Sequence, residues 1–184
     1  MSKQDISNYT FSKNDRLFFD ANIWIYIYGP SIDKQSYRRS KIYATALQKI
    51  RNVKSRLFID ALVLSEFINV YARLEYRQRF ANTYQTFKQF RQSQDFKSVA
   101  QDIANNAKRI VKLCQPCDLQ FHTLNLINIL DEYAQGTVDY NDQLIAELCM
   151  ANGLCLVTHD ADFLQLEKSN HLILLTANQR LLNT

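Results

Sequence analysis

The 184-residue chain carries 22 Lys+Arg against 18 Asp+Glu, with 47% hydrophobic and 22% charged residues, 3 Gly, 2 Pro and 4 Cys. That balance excludes a disordered polymer, and the shortage of Gly and Pro excludes a turn-rich β-sandwich or barrel. No apolar run approaches the roughly 20 residues that span a bilayer, and the polar start MSKQDISNYTFSKNDR lacks an apolar signal core, so one domain working in the cytoplasm without membrane contact is expected.

Residues 1–15 read as a polar N-terminal extension. LFFD at 17–20 is a short apolar run closed by a carboxylate, a buried strand with Asp20 at its C-terminal end. The apolar stretch continues over 22–28 and stops at Gly29-Pro30, a strong breaker pair. Within 36–52, Tyr37, Ile42, Tyr43, Ala46, Leu47 and Ile50 recur at helical spacing. RLFI at 56–59 is a second strand, and Asp60 offers an N-cap to a helix bearing Val63, Phe67, Val70, Tyr71 and Leu74. Residues 76–113 are polar and basic and read as two helices forming an arm.

DLQF at 118–121 reads as a short strand, and 123–134 as a helix closed by Gly136. TVD at 137–139 opens another helix, which runs to the C-cap pair Asn152-Gly153. LCLVT at 154–158 and HLILLT at 171–176 are apolar throughout, as strands covered on both faces are. Strands separated by helices imply an α/β chain: a three-layer α/β/α sandwich around a mostly parallel sheet, with 76–113 as a helical basic insertion. In such sheets ligands gather beyond the carboxyl ends of the strands.

Charge is distributed unevenly. Residues 34–112 hold 17 Lys+Arg against 5 Asp+Glu, a balance of +12, whereas 113–184 hold 2 against 9, a balance of −7. A basic middle beside an acidic end suits a polyanion-binding surface next to an acidic cluster, set against the plainer reading of solvated helix faces. Arg77, Arg79, Lys88 and Arg91 interleave with Phe80, Tyr84, Phe87 and Phe90. Helix packing accounts for such a stripe, with contact to single-stranded RNA as the alternative. Cys114-Gln-Pro-Cys117 has the spacing of a redox pair or half a zinc site. No strand–helix context frames it and only His122 stands nearby, so the cysteines read as structural.

The acids inside apolar segments are the informative feature. Asp20 ends FFD, Glu66 sits in LVLSEFINV, Asp142 opens an apolar helix in VDYNDQLIAELC, and Asp160 follows a buried strand in CLVTHDADF with Asp162 two residues on. Four carboxylates converging on one sheet edge repel, and a divalent cation with a taste for hard oxygen ligands, Mg²⁺ or Mn²⁺, removes the conflict. Metal held by carboxylates with open positions suits phosphodiester cleavage, and the basic block suits the anionic substrate. His159, beside Asp160, reads as an exposed loop histidine. Tyr26, Tyr28, Tyr37 and Tyr43 read as core or as a face for a partner.

These motifs resemble the PIN-domain nucleases and, among them, the VapC-type ribonuclease toxins. The match lies in FFDANIWIY, SEF, DYNDQLIAELC and LVTHDADF, in that order across about residues 16–176. The resemblance implies an α/β/α fold, endoribonuclease activity and a metal-binding acidic cluster of Asp20, Glu66, Asp142 and Asp160. It implies supporting roles for Asn22, Thr158 and Asp162. Asp139 is read as a helix N-cap before it is read as a ligand. RNA, a cognate antitoxin and a homodimer are the partners implied. Two other classes compete. A non-catalytic RNA-binding module would keep the fold without the chemistry. A haloacid-dehalogenase-type phosphatase would use Asp20 as nucleophile, but it needs an acid where this chain has Asn22.

Overall fold

The structure is a computed structural model describing residues 1–31, 33–118, 120–166 and 171–183. Six strands form one sheet: β1 (Ser2–Asp5), β2 (Arg16–Phe19), β3 (Arg56–Ile59), β4 (Gln115–Pro116), β5 (Cys155–Val157) and β6 (Ile173–Thr176). They lie in the order β1-β6-β5-β2-β3-β4, every pair parallel. Eight α-helices are described: α1 (Ala21–Tyr28), α2 (Lys34–Val53), α3 (Ala61–Glu75), α4 (Phe87–Arg91), α5 (Asp95–Leu113), α6 (Leu126–Ala134), α7 (Tyr140–Ala151) and α8 (Gln179–Leu182). Together they make the expected α/β/α sandwich.

The chain moves one way across the sheet from β2 through β3 to β4, then back across to β5 and β6. Right-handed crossovers therefore put α1–α5 on one face and α6–α7 on the other. Helix packing agrees: α1 lies on α2 and α3, and α3 on α5, while α6 packs on α7. The central strands are sealed from both sides, with Leu17, Phe18, Phe19, Leu156, Val157, Leu174 and Leu175 all at 0% exposure. That is why their sequences are unbroken apolar runs. Among the described residues no helix is long and apolar enough to cross a membrane.

Three regions differ from expectation. The polar extension supplies an edge strand: Ser2–Asp5 pairs with Ile173–Thr176, and Ile6 and Phe11 anchor it in the core. Its side chains lie exposed or half-buried, so nothing apolar announces it. In place of a strand at 118–121, the edge strand is Gln115–Pro116, and Phe121 opens a 3₁₀ turn; Leu119 lies outside the described residues. Proline is tolerated at such an edge because nothing further requires its missing donor.

The arm contains more than two helices. A π-helical turn at Tyr76–Phe80 extends α3, and α4 and α5 follow. Phe90, fully buried, has Phe80, Phe96, Tyr76, Tyr84 and Phe87 around it at centroid distances of 4.6 to 6.4 Å. Arg73, Arg79 and Arg91 lie over Phe87, Phe80 and Phe96. The aromatic stripe is thus a small satellite core roofed by guanidinium groups, and ring stacking on RNA bases gives way to packing. Val99, Ile103, Ala107 and Ile110 then bury one face of α5 in the main core.

Candidate active site

The chain reverses its direction of travel between β2 and β5, where the two neighbours part in opposite directions. At such a switch point the loops diverge and leave a crevice beyond the strand ends. Phe19 pairs with Val157, so the next residues on each strand, Asp20 and Thr158, are neighbours. The Asp20 amide donates to the Val157 carbonyl at 3.0 Å, and the Thr158 hydroxyl donates to Asp20 Oδ2 at 2.8 Å. Asn22 Nδ2 donates to the same Oδ2 and also to Thr158 Oγ1. Asp20 precedes α1 without spending its side chain on a cap bond, which leaves the carboxylate to the crevice. It is 4% exposed and Thr158 is 0%.

The other acids reach the crevice from separate elements. Glu66 is half-buried in the second turn of α3, whose N-cap is Asp60, accepting the Val63 amide at 2.8 Å. Asp142 is half-buried in the first turn of α7. Asp139 caps that helix by accepting the Asn141 amide at 2.8 Å, as expected. Asp160 is exposed on the loop after β5, and its Oδ1 accepts the Asp162 amide at 3.0 Å. Asp139 and Asp162 also line an adjoining groove with Tyr133, Thr137 and Gln165.

Electrostatics link these side chains. Burial, then the charges of Glu66 and Asp160, push the Asp20 carboxyl up to about 7 against the Thr158 hydrogen bond that favours its anion. Asp142 is pushed up to about 8 by burial and by repulsion from Asp20, Asp160, Asp139 and Glu66. Burial, Asp139 and Asp160 raise Glu66. All four candidate acids therefore lie within electrostatic reach of one another.

Their oxygens are the hard donors that Mg²⁺ and Mn²⁺ select, and the pocket holds more carboxylates than it can ionise near neutral pH. In donor type and charge the residues fit a divalent cation. Among the described residues, no three His, Cys, Asp or Glu side chains converge tightly enough to hold one.

Sequence reasoning missed the outer wall of the pocket. His159 is half-buried, and its Nδ1 is hydrogen-bonded to the Tyr43 hydroxyl at 2.8 Å. Tyr43 is fully buried and stacks on Tyr26 at 5.9 Å, while Tyr37 is 66% exposed. Arg39 lies over the Tyr26 ring at 5.6 Å and donates to its hydroxyl at 3.0 Å. Burial and the Arg39 charge lower His159 to about 4, so the imidazole is neutral at pH 7. The rings of Tyr26 and Tyr43 bracket a histidine adjacent to Asp160; a tyrosine at helical spacing gives no sign of this in sequence.

Of the proposed RNA contacts, Arg77, Arg79, Lys88 and Arg91 are exposed on the arm, and Arg79 is paired to buried Glu75 at 2.9 Å. Cys114 and Cys117 are free, and burial pushes both thiols up to about 12, which favours the protonated thiol over the thiolate.

A family model described as PIN domain matches residues 17–169. Among solved structures, the chain is similar to one in the crystal structure of VapBC2 from Rickettsia felis bound to a DNA fragment from their promoter. The two share 16% sequence identity and superpose with a TM-score of 0.53 over 87% of this chain and 97% of that one. The likeness is one of fold. No curated protein matches the chain by sequence.

Proposed function

The chain belongs to the PIN-domain family, whose members are generally nucleases that use divalent metal ions, and on that premise we propose that it is a metal-dependent endoribonuclease hydrolysing RNA phosphodiester bonds. One observation supports the reading: Asp20, Glu66, Asp142 and Asp160, from four separate segments, lie within electrostatic reach of one another, with Asp20 at the switch point of a parallel sheet. These four acids would hold Mg²⁺ or Mn²⁺, which supplies a polarised phosphoryl oxygen and an activated water.

The chain's own groups prepare that pocket. Thr158 and Asn22 aim Asp20 by both donating to its Oδ2, which leaves Oδ1 free of them. Asp139 fixes the start of α7 and so the position of Asp142. Arg77, Lys88 and Arg91, exposed on the arm, would offer the polyanion a cationic surface that the acidic site itself lacks. A phosphatase of the haloacid-dehalogenase type is disfavoured, because Asn22 donates its amide to Asp20 where that chemistry requires an acid able to transfer a proton. A non-catalytic module has no use for four mutually repelling carboxylates in one crevice.

The fold shared with VapBC2 from Rickettsia felis supports a role as the toxin of a toxin–antitoxin pair, with a neighbouring small antitoxin as partner and a homodimer as its assembly. Purified protein incubated with RNA should cleave it with Mn²⁺ or Mg²⁺, stop with EDTA, and lose activity by roughly 10³-fold or more on Asp20→Asn. Cleavage untouched by EDTA or by that substitution refutes the assignment. Growth arrest on expression, relieved by the neighbouring small protein and absent in the Asp142→Asn variant, supports the toxin role.

A further inference from the structure

Asp160 lies three residues beyond β5, where its side chain caps the 3₁₀ turn Ala161–Gln165. Its own hydrogen bonds stay within its loop: its amide donates to Thr158 Oγ1 at 3.0 Å, and its carboxylate accepts the Asp162 amide. Asp160 acts electrostatically on Asp20, Asp142 and Glu66, which places it within reach of all three. What sets the direction of its carboxylate is how its backbone is tied down.

The tie is the preceding residue, held on three sides. The His159 amide donates to Asn22 Oδ1 at 3.2 Å, which joins the loop to the first motif. The His159 carbonyl accepts from Asn178 Nδ2 at 2.7 Å, which joins it to the segment after β6. The His159 ring bonds the Tyr43 hydroxyl on α2, and that hydroxyl accepts the Ala177 amide at 3.1 Å. Asn178 is itself pinned by donating its amide to Thr176 Oγ1 at 3.0 Å. Tyr26 and Tyr43 both meet the imidazole edge-to-face, at 5.6 and 5.8 Å, and leave it little room to swing.

We propose that His159, clamped by Tyr43 and Asn178, is a positioning residue that holds Asp160 toward the other three acids. This rests on the nuclease reading for its purpose, though not for its mechanics. Hydrogen-bonded groups behind a metal ligand typically change metal affinity or activity by 10–100-fold, and a misplacement of about 1 Å can cost about 10²-fold in rate.

The experiment compares wild type with Tyr43→Phe, which deletes only the hydroxyl, with His159→Ala, and with His159→Asn, which restores a polar atom near Nδ1. Mn²⁺ affinity by calorimetry, kcat and KM on RNA, melting temperature and amide hydrogen exchange are measured on each. Tyr43→Phe and His159→Ala should weaken Mn²⁺ binding and lower kcat by roughly 10-fold or more, leave KM within about twofold, and accelerate exchange at residues 158–162 while residues 155–157 and 173–176 stay protected. His159→Asn should recover most of the loss. Unchanged exchange at 158–162, or a lower melting temperature with unchanged Mn²⁺ affinity and kcat, overturns the clamp. A wild type that neither binds Mn²⁺ nor cuts RNA refutes the nuclease reading, and the exchange comparison then decides the clamp alone.

Discussion

Asp20 and Asp142 hold protons far above the ordinary carboxyl range, to about 7 and about 8, because each is buried beside other acids. The folded chain thus keeps protons that the unfolded chain has released. Their contribution to stability is full below the unfolded value of 3.8 and is lost as pH rises through 7 to 8. Metal-free protein should therefore melt at a lower temperature at about pH 9 than at about pH 6, and Mn²⁺ should remove most of that difference. Asp142→Asn should melt higher than wild type at about pH 9 in EDTA while abolishing cleavage. Scanning fluorimetry across pH checks both; a melting temperature that does not respond to pH rejects the shared pocket. The four candidate acids stand out in sequence because a carboxylate within an apolar run needs a reason to be there. His159 was not, since its ring partner Tyr43 stands 116 residues away and only the fold brings them together.

Among the elements, the strands of the sheet interior were legible because burial on both faces writes an unbroken apolar run. Helices were legible through their caps, Asp60 and Asp139 among them. The two outer strands were not: Gln115–Pro116 is two exposed residues, and Ser2–Asp5 is held by register rather than by apolar side chains. The arm separates packing from charge and can be tested on both. Phe90→Ala removes the centre of the satellite core and should cost about 3–5 kcal/mol in urea unfolding, the usual range for a buried Phe. Arg77→Glu with Arg91→Glu should leave stability nearly unchanged and weaken RNA binding. The slope of log affinity against log salt should fall by about 0.7 for each lost phosphate contact on a single strand, with Mn²⁺ affinity unaltered. Arg79→Glu makes a poor probe, because it also strips buried Glu75 of its partner. A salt-independent affinity returns the arm to the reading of solvated surface.

Across the molecule, the sheet is closed at one side by β1 and at the other by β4, both short and largely polar. Such edges discourage pairing with another sheet. Removing residues 1–7 should bare β6, whose core-facing Leu174 and Leu175 lie in the Ile173–Thr176 register with β1, and take Ile6 out of the core. The shortened chain is expected to self-associate, read as a rise in mass by light scattering. An unchanged mass refutes a protective role for β1.

The sheet order also has a consequence in time. Asp20 and Thr158 touch across 138 residues, and β1 waits for β6 before it has any neighbour. A ribosome emits the chain from its N-terminus at about 5–20 residues per second. For much of that interval Asp20 and Glu66 exist without Asp142 or Asp160, and β2 has β3 beside it but not β5. The crevice is complete only once β5 and Asp160 have been made and β5 has paired with β2. Chemistry that needs all four acids is thereby withheld from the nascent chain until Asp160 has joined the segments that precede it.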